Sequence, residues 1–125
     1  MMHQKALLFS DQTIANEILQ TNDPATQQQL GRKISSFDAT QWDQHKLGIV
    51  WYGNYLKFSQ HPDLAQRLLA TDDKILAEAS PYDLIWGIGY AASDDRAIDK
   101  NQWRGQNLLG EVLMSVRGIL KVGGC

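Results

Sequence analysis

The chain has 125 residues, of which 43% are apolar and 21% are charged, as in an ordinary globular domain and not a disordered chain. Twelve Lys and Arg against 14 Asp and Glu give a net charge of −2, which argues against a protein that holds nucleic acid by bulk charge. No apolar run approaches the ~20 residues that span a bilayer. No secretory signal is visible, and the single Cys125 excludes an intrachain disulfide. The composition predicts one cytoplasmic domain over residues 1–125, without membrane contact.

The first third of the sequence predicts three short helices. Residues 1–9 contain no Gly or Pro and favour a helix, although nothing at the start is suited to cap it. Ser10 is the expected cap of the second helix. Asp23, followed by a proline at the first helical position, begins the third, and Gly31 is its expected stop.

The longest predicted helix occupies residues 39–59, with Asp38 as its cap. Apolar and aromatic residues recur there at helical spacing, although two glycines weaken the helix by about 1 kcal/mol each relative to alanine. The pair His61-Pro62 ends it and starts another short helix.

The last part of the chain is less regular until its end. Residues 74–80 are ambiguous between strand and helix, and residues 83–89 are punctuated by glycine and are expected to be extended or turning. Residues 91–102 read as a long surface loop, and residues 107–120 as an amphipathic helix. The prediction is a mainly α protein, a single compact helical domain with at most one short strand pair near residues 74–90.

General catalytic and metal-binding motifs are absent from the sequence. It contains no HExxH, CxxC, phosphate-binding loop or GxSxG pattern, and His3, His45 and His61 are scattered. The sequence therefore predicts neither a metal site nor a cofactor.

Two segments have unusual residues. In residues 78–89, Glu78 and Asp83 flank a proline turn ahead of Trp86, and the following Gly87 allows the tryptophan face to meet a ring. The alternative is a core tryptophan in a turn with two solvated acids, and the residues alone favour that alternative.

The second segment, residues 103–110, places Asn107 where a helix begins, with an arginine and a tryptophan just upstream. Asn107 is either an ordinary helix cap or part of a helix N-terminus offered to an anion or polar ligand.

Five strings, in their order, resemble the NADAR family of YbiA-like proteins: QKALLFSD, LGRK, KFSQHPDLAQRLLATDD, AEASPYDLIWGIG and WRGQNLLGEVLMSVR. The resemblance runs from Gln4 to about Arg117 and implies a mainly helical fold. Bacterial members are N-glycosidases that cleave early phosphoribosylated pyrimidine intermediates of riboflavin synthesis. Other members are linked to NAD and ADP-ribose, including removal of ADP-ribose from modified bases. The implied partner is thus a ribose phosphate or ADP-ribose compound, with nucleic acid only as an ADP-ribosylated base.

The resemblance also implies the site residues. Asp83 and Glu78 match acidic positions of the family and are expected to be catalytic, with Asp83 first. The residues expected to bind substrate are Trp42, Trp86, Asn107, Arg32, Lys57 and Lys5. In an oxocarbenium-like transition state a carboxylate would face the positive charge near C1′. The tryptophans would stack on the base and the cations would hold the 5′-phosphate. For the three cations the alternative is a solvated surface charge. We expect four of the other residues to converge on one cleft, namely Trp42, Asp83, Trp86 and Asn107.

Members of the family usually carry a further segment before the QK string, with a glutamate that is thought to be essential. This chain begins MMHQK, just after the place of that glutamate. The sequence therefore leaves two alternatives to an active hydrolase. One is a non-catalytic module that binds ADP-ribose or ribose phosphate, and the other is a structural remnant that requires a partner chain.

Overall fold

The computed structural model describes residues 1–123 as helices joined by turns. The α-helices are α1 (Met2–Leu8), α2 (Gln12–Leu19), α3 (Pro24–Gly31), α4 (Ala39–Gln60), α5 (Pro62–Leu69) and α6 (Leu108–Gly123). The chain divides into two compact units, Met1–Val50 and the part from Trp51 onward, with the boundary inside α4. Among the described residues, no helix combines the length and apolarity needed to cross a bilayer.

In the first unit, α1, α2 and α3 pack against one another around a small apolar core. The buried members of this core are Ala6, Phe9, Ala15, Ile18 and Ile34. Trp42, on the first part of α4, packs partly buried against the same core. The predicted start of α3 is confirmed, since Asp23 accepts a hydrogen bond from the backbone N–H of Ala25 beside Pro24.

The cap of α2 differs from the prediction. Asp11, and not Ser10, begins the helix, and its carboxylate accepts the backbone N–H of Ile14 at 3.1 Å. Ser10 has a φ of +58°, which lies outside the extended backbone typical of a helix cap. The other oxygen of Asp11 accepts the N–H of Ser35 at 2.8 Å. These bonds, with that to Ser35 the largest cause, lower the pKa of Asp11 and fix α2 to the turn after α3.

In the second unit, α5 packs on α6. The buried side of α6 is formed by Gly110, Val112, Val116 and Arg117. The buried Arg117 guanidinium donates to the hydroxyl of Thr71 at 2.8 Å and to the carbonyl of Lys74 at 2.9 Å. This arginine therefore fixes the chain after α5 against α6.

The expected strand pair near residues 74–90 is not present in the described part of the chain. Hydrogen bonds converge on single carbonyls there instead of forming a ladder. The carbonyl of Glu78 accepts the N–H groups of Ser80 and Ile88, and the carbonyl of Ile88 accepts those of Arg104 and Gly105. A ladder needs each carbonyl to face a different residue of the partner strand, so the segment forms interlocked turns.

The segment of residues 91–102, predicted as a plain loop, contains two 3-10 helices, Asp95–Ile98 and Lys100–Gln102. Asp94 caps the first and Asp99 caps the second. The carboxylates of Asp94 and Asp99 each accept the backbone N–H of the residue two positions ahead, which is the local bond that aspartate favours in turns.

Candidate functional site

Asp83 closes the turn that carries Trp86. Its Oδ1 atom accepts the backbone N–H of Ile85 at 3.0 Å and that of Trp86 at 2.8 Å. An aspartate at this place in a turn supplies the acceptor that the tight backbone lacks. The turn holds the half-buried Trp86 in place through its main chain.

Glu78 is held through its backbone and presents its side chain to solvent. Its N–H donates to Oδ1 of Asn107 at 2.9 Å, and its carbonyl accepts from Ser80 at 3.0 Å and from Ile88 at 2.9 Å. The residue is exposed, and no hydrogen bond or ion pair recorded among residues 1–123 uses its carboxylate. Glu78 therefore combines an anchored main chain with an available carboxylate.

The two acidic residues meet at Gly87. A Cβ atom on this glycine would lie 2.9 Å from the carbonyl oxygen of Asp83 and 3.0 Å from that of Glu78. Contacts so short do not occur at ordinary Cβ atoms, so glycine is required here for the main chain to approach. The structure thus brings together the main chains of Glu78 and Asp83 next to Trp86, and we call these three residues the acidic turn.

Asn107 braces the acidic turn. Only 2% of its surface is exposed, and its φ is +53°. Its Nδ2 donates to the carbonyl of Leu76 at 2.9 Å, its Oδ1 accepts the N–H of Glu78, and its own N–H donates to the carbonyl of Gly87 at 3.0 Å. Both ends of the amide are engaged with main chain, so Asn107 joins the start of α6 to the acidic turn.

A second set of predicted residues lies together in the first unit. The Lys5 ammonium donates to the carbonyl of Gly31 at 3.2 Å and lies 4.6 Å from the ring centre of Phe37 and 5.5 Å from that of Trp42. Desolvation by burial, followed by repulsion from Arg32, lowers the pKa of Lys5. We call Lys5, Phe37 and Trp42 the lysine cage. Contact with the aromatic rings orients the lysine. Its ammonium has three N–H donors, and one of them is bonded to the carbonyl of Gly31.

Lys57 lies on α4 beside Phe58. It is exposed in the last turn of α4, where its ammonium is 5.6 Å from the ring centre of Phe58. None of the contacts recorded for the described residues joins it to Glu78, Asp83 or Trp86.

Two aromatic residues were missed in the sequence. Phe37 packs edge-on against Phe9, with ring centres 5.1 Å apart, and forms one wall of the lysine cage. Tyr90 is buried, and the guanidinium carbons of Arg96 and Arg104 lie over its ring, at 4.2 and 4.4 Å from the ring centre. The contacts of Phe37 join α1 to the chain before α4, so local spacing carries no signal for them. For Tyr90, the one signal in the sequence is its position directly after the glycine-rich residues 83–89.

A comparison with family models matches residues 1–121 to the NADAR domain. The chain belongs to the NADAR domain family, and the resemblance inferred from the five strings is confirmed. "N-glycosidase R617" of Acanthamoeba polyphaga mimivirus is 50% identical over 117 residues, which cover 94% of this chain and 69% of that protein. "Protein irg-1" of Caenorhabditis elegans is 42% identical, covering 93% of this chain and 56% of that protein.

A third relative is a much longer protein. "Riboflavin biosynthesis protein PYRR, chloroplastic" of Zea mays is 32% identical over 108 residues, covering 83% of this chain and 16% of that protein. The chain therefore corresponds to one part of each of these relatives.

Proposed function

We propose that this protein is an N-glycosidase that hydrolyses the C–N bond of phosphoribosylated pyrimidine intermediates of riboflavin biosynthesis. The observation that carries the proposal is the acidic turn, in which the main chains of Glu78 and Asp83 meet at Gly87 and Asp83 bonds to the backbone of Trp86, in a chain 50% identical to a protein named N-glycosidase R617. The riboflavin assignment is supported by the name of the maize relative. The proposal covers related ADP-ribosyl-base hydrolysis as a second substrate class for the same chemistry.

The reaction needs few groups. The C1′–N bond breaks with its electron pair on the departing nitrogen, positive charge develops at C1′, and water supplies the new hydroxyl. A carboxylate near C1′ stabilises that charge, and a carboxyl group moves protons between the water and the departing nitrogen. The acidic turn supplies an available carboxylate, that of Glu78, beside Asp83, whose carboxylate accepts main-chain N–H groups.

The other proposed residues bind substrate. Within the second unit, Trp86 is proposed to stack on the base, and such stacking contributes about 1–3 kcal/mol per base in nucleic-acid binders. Within the first unit, Trp42 is proposed as the ring-binding residue of the lysine cage. Lys5 and Arg32 lie close enough together for the Arg32 charge to lower the Lys5 pKa, so an anion near them would relieve that repulsion. We propose this pair for the 5′-phosphate, with Lys57 as a further candidate and Asn107 acting through the acidic turn.

The proposal is tested by following ribose 5-phosphate release from a phosphoribosyl aminopyrimidine, with an ADP-ribosylated base in a parallel reaction. Wild type should release product, whereas Trp86→Ala and Lys5→Met should raise KM. Glu17→Gln, which changes an exposed acid on α2, serves as the matched control. Release from neither substrate would refute the proposed hydrolysis.

Binding without turnover is measured in the same preparation by thermal unfolding. A ligand at 100 times its Kd stabilises the folded state by about 2.7 kcal/mol. Stabilisation by ribose 5-phosphate or ADP-ribose without product release would identify the binding-module alternative.

A further inference from the structure

We infer that the two acids of the acidic turn have different roles: Asp83 is a positioning residue, and Glu78 is the carboxylate that exchanges protons with the reactants. This inference rests on the proposed function and divides the work within its site. It also reverses the order expected from the sequence, in which Asp83 came first.

Asp83 is occupied with the main chain of its own turn. One carboxylate oxygen accepts two backbone N–H groups, those of Ile85 and Trp86, at 3.0 and 2.8 Å. Charge-assisted bonds of this kind hold the acceptor oxygen in a fixed position. Since the second of these donors belongs to Trp86, loss of the Asp83 oxygen releases the main chain that carries the proposed ring-binding side chain.

Glu78 has the opposite arrangement. Its main chain makes three hydrogen bonds, two of them to residues distant in the sequence, Ile88 and Asn107. Its side chain is exposed and its carboxylate takes no part in the bonds recorded within residues 1–123. The main chain of Glu78 is thus fixed while its carboxylate remains available to exchange a proton with a bound substrate.

The proton balance of the step is complete with water as the second reactant. Glu78 takes one proton from the attacking water while the water oxygen forms the bond to C1′. The C1′–N bond breaks with its electron pair on nitrogen, and the proton held by Glu78 passes to that nitrogen. The products are ribose 5-phosphate and the free amine, and Glu78 returns to its carboxylate form.

Asp83 is tested with variants that keep or remove the acceptor oxygen. Asp83→Asn and Asp83→Ser both retain an oxygen able to accept the two N–H groups, without the charge. We expect both to keep kcat within about threefold of wild type. Asp83→Ala should raise KM by tenfold or more and lower the melting temperature, so the conservative variants rescue what alanine loses.

Glu78 is tested with Glu78→Gln and Glu78→Ala. Positioned acid–base groups contribute about 10²–10⁴-fold, so kcat should fall at least 100-fold in both variants, with KM and melting temperature near wild type. Added formate should restore part of the activity of Glu78→Ala, because it supplies a carboxylate, and should leave Asp83→Ala unchanged. Glu17→Gln again serves as the control.

The outcomes separate the inference from the proposed function. Active wild type with inactive, folded Asp83→Asn and Asp83→Ser and an active Glu78→Gln would overturn the division of roles and leave the hydrolysis standing. Wild type without release from either substrate would overturn the proposed function and, with it, the inference. Low kcat in Glu78→Gln with formate rescue of Glu78→Ala would support both.

Discussion

Replacement of Asn107 by alanine should destabilise the fold more than any exposed substitution. The side chain is 98% buried, and its amide joins the carbonyl of Leu76 to the N–H of Glu78, both at 2.9 Å. Alanine leaves these two main-chain groups without their partner. It also places alanine at a φ of +53°, a backbone conformation that asparagine tolerates better than most residues.

The size of the effect follows from these contacts. Each lost bond contributes about 1 kcal/mol, and leaving a buried polar group unpaired raises this to about 1–3 kcal/mol. The left-handed backbone adds about 1 kcal/mol for alanine. Asn107→Ala should therefore lower the free energy of unfolding by about 3–7 kcal/mol.

Urea unfolding followed by circular dichroism measures this change. Asn107→Gly is the matched variant, since it also lacks the amide but accepts a positive φ, and it should be about 1 kcal/mol more stable than Asn107→Ala. A loss below about 1 kcal/mol in both variants would show that the amide does not brace the acidic turn.

Three further predictions concern stability. Gly110→Ala should lower the melting temperature because its Cβ would clash with the main-chain oxygen of Leu76 and the side-chain amide of Asn107. The Cβ of Gly118→Ala, on the same helix, would meet nothing within 4 Å, so this variant should stabilise the fold by about 1 kcal/mol. Val116 is 0% exposed, so Val116→Ala should lower the free energy of unfolding measured in urea by ~2 kcal/mol, and Ile119→Ala, at a residue 47% exposed, should lower it by clearly less. Equal losses in the two variants would contradict the assigned buried face of α6. The Arg96 bonds lower the pKa of Asp94 to about 2 from 3.8, so its contribution to stability is present above pH 4 and is lost as pH falls towards 2. Asp94→Asn should flatten acid unfolding in that range, and an unchanged pH dependence would count against this pair.

The helices were predictable where the sequence carries a local signal. Asp23-Pro24 and the periodic apolar residues of α6 are each contained within one element, and both predictions are confirmed. The buried face of α6 was only partly predicted, because Arg117 reads as a surface charge. Its burial depends on the hydroxyl of Thr71 and the carbonyl of Lys74, which are more than 40 positions away.

The acidic turn shows the same limit. The sequence identified Glu78, Asp83 and Trp86 as candidate site residues, but it also predicted a strand pair near residues 74–90. It assigned the leading catalytic role to Asp83. What distinguishes the two acids is the bonding of their main chains and side chains. The main-chain bonding of Glu78 involves Asn107, 29 positions further along the chain, and periodicity carries no information about it.

The lysine cage could be predicted only in part. Lys5, Arg32 and Trp42 came from the family resemblance, and the structure places them in one unit. Phe37 was not predicted because an aromatic residue before a helix has many ordinary roles, and only its distance of 4.6 Å from the Lys5 ammonium separates this one.

The most direct test of the account is a stoichiometric measurement of both products from a phosphoribosyl aminopyrimidine. Hydrolysis of the C1′–N bond predicts ribose 5-phosphate and the free aminopyrimidine in a one-to-one ratio, at an initial rate proportional to protein concentration and reduced at least 100-fold in Glu78→Gln. No release above the protein-free rate, or equal rates for wild type and Glu78→Gln, would contradict it.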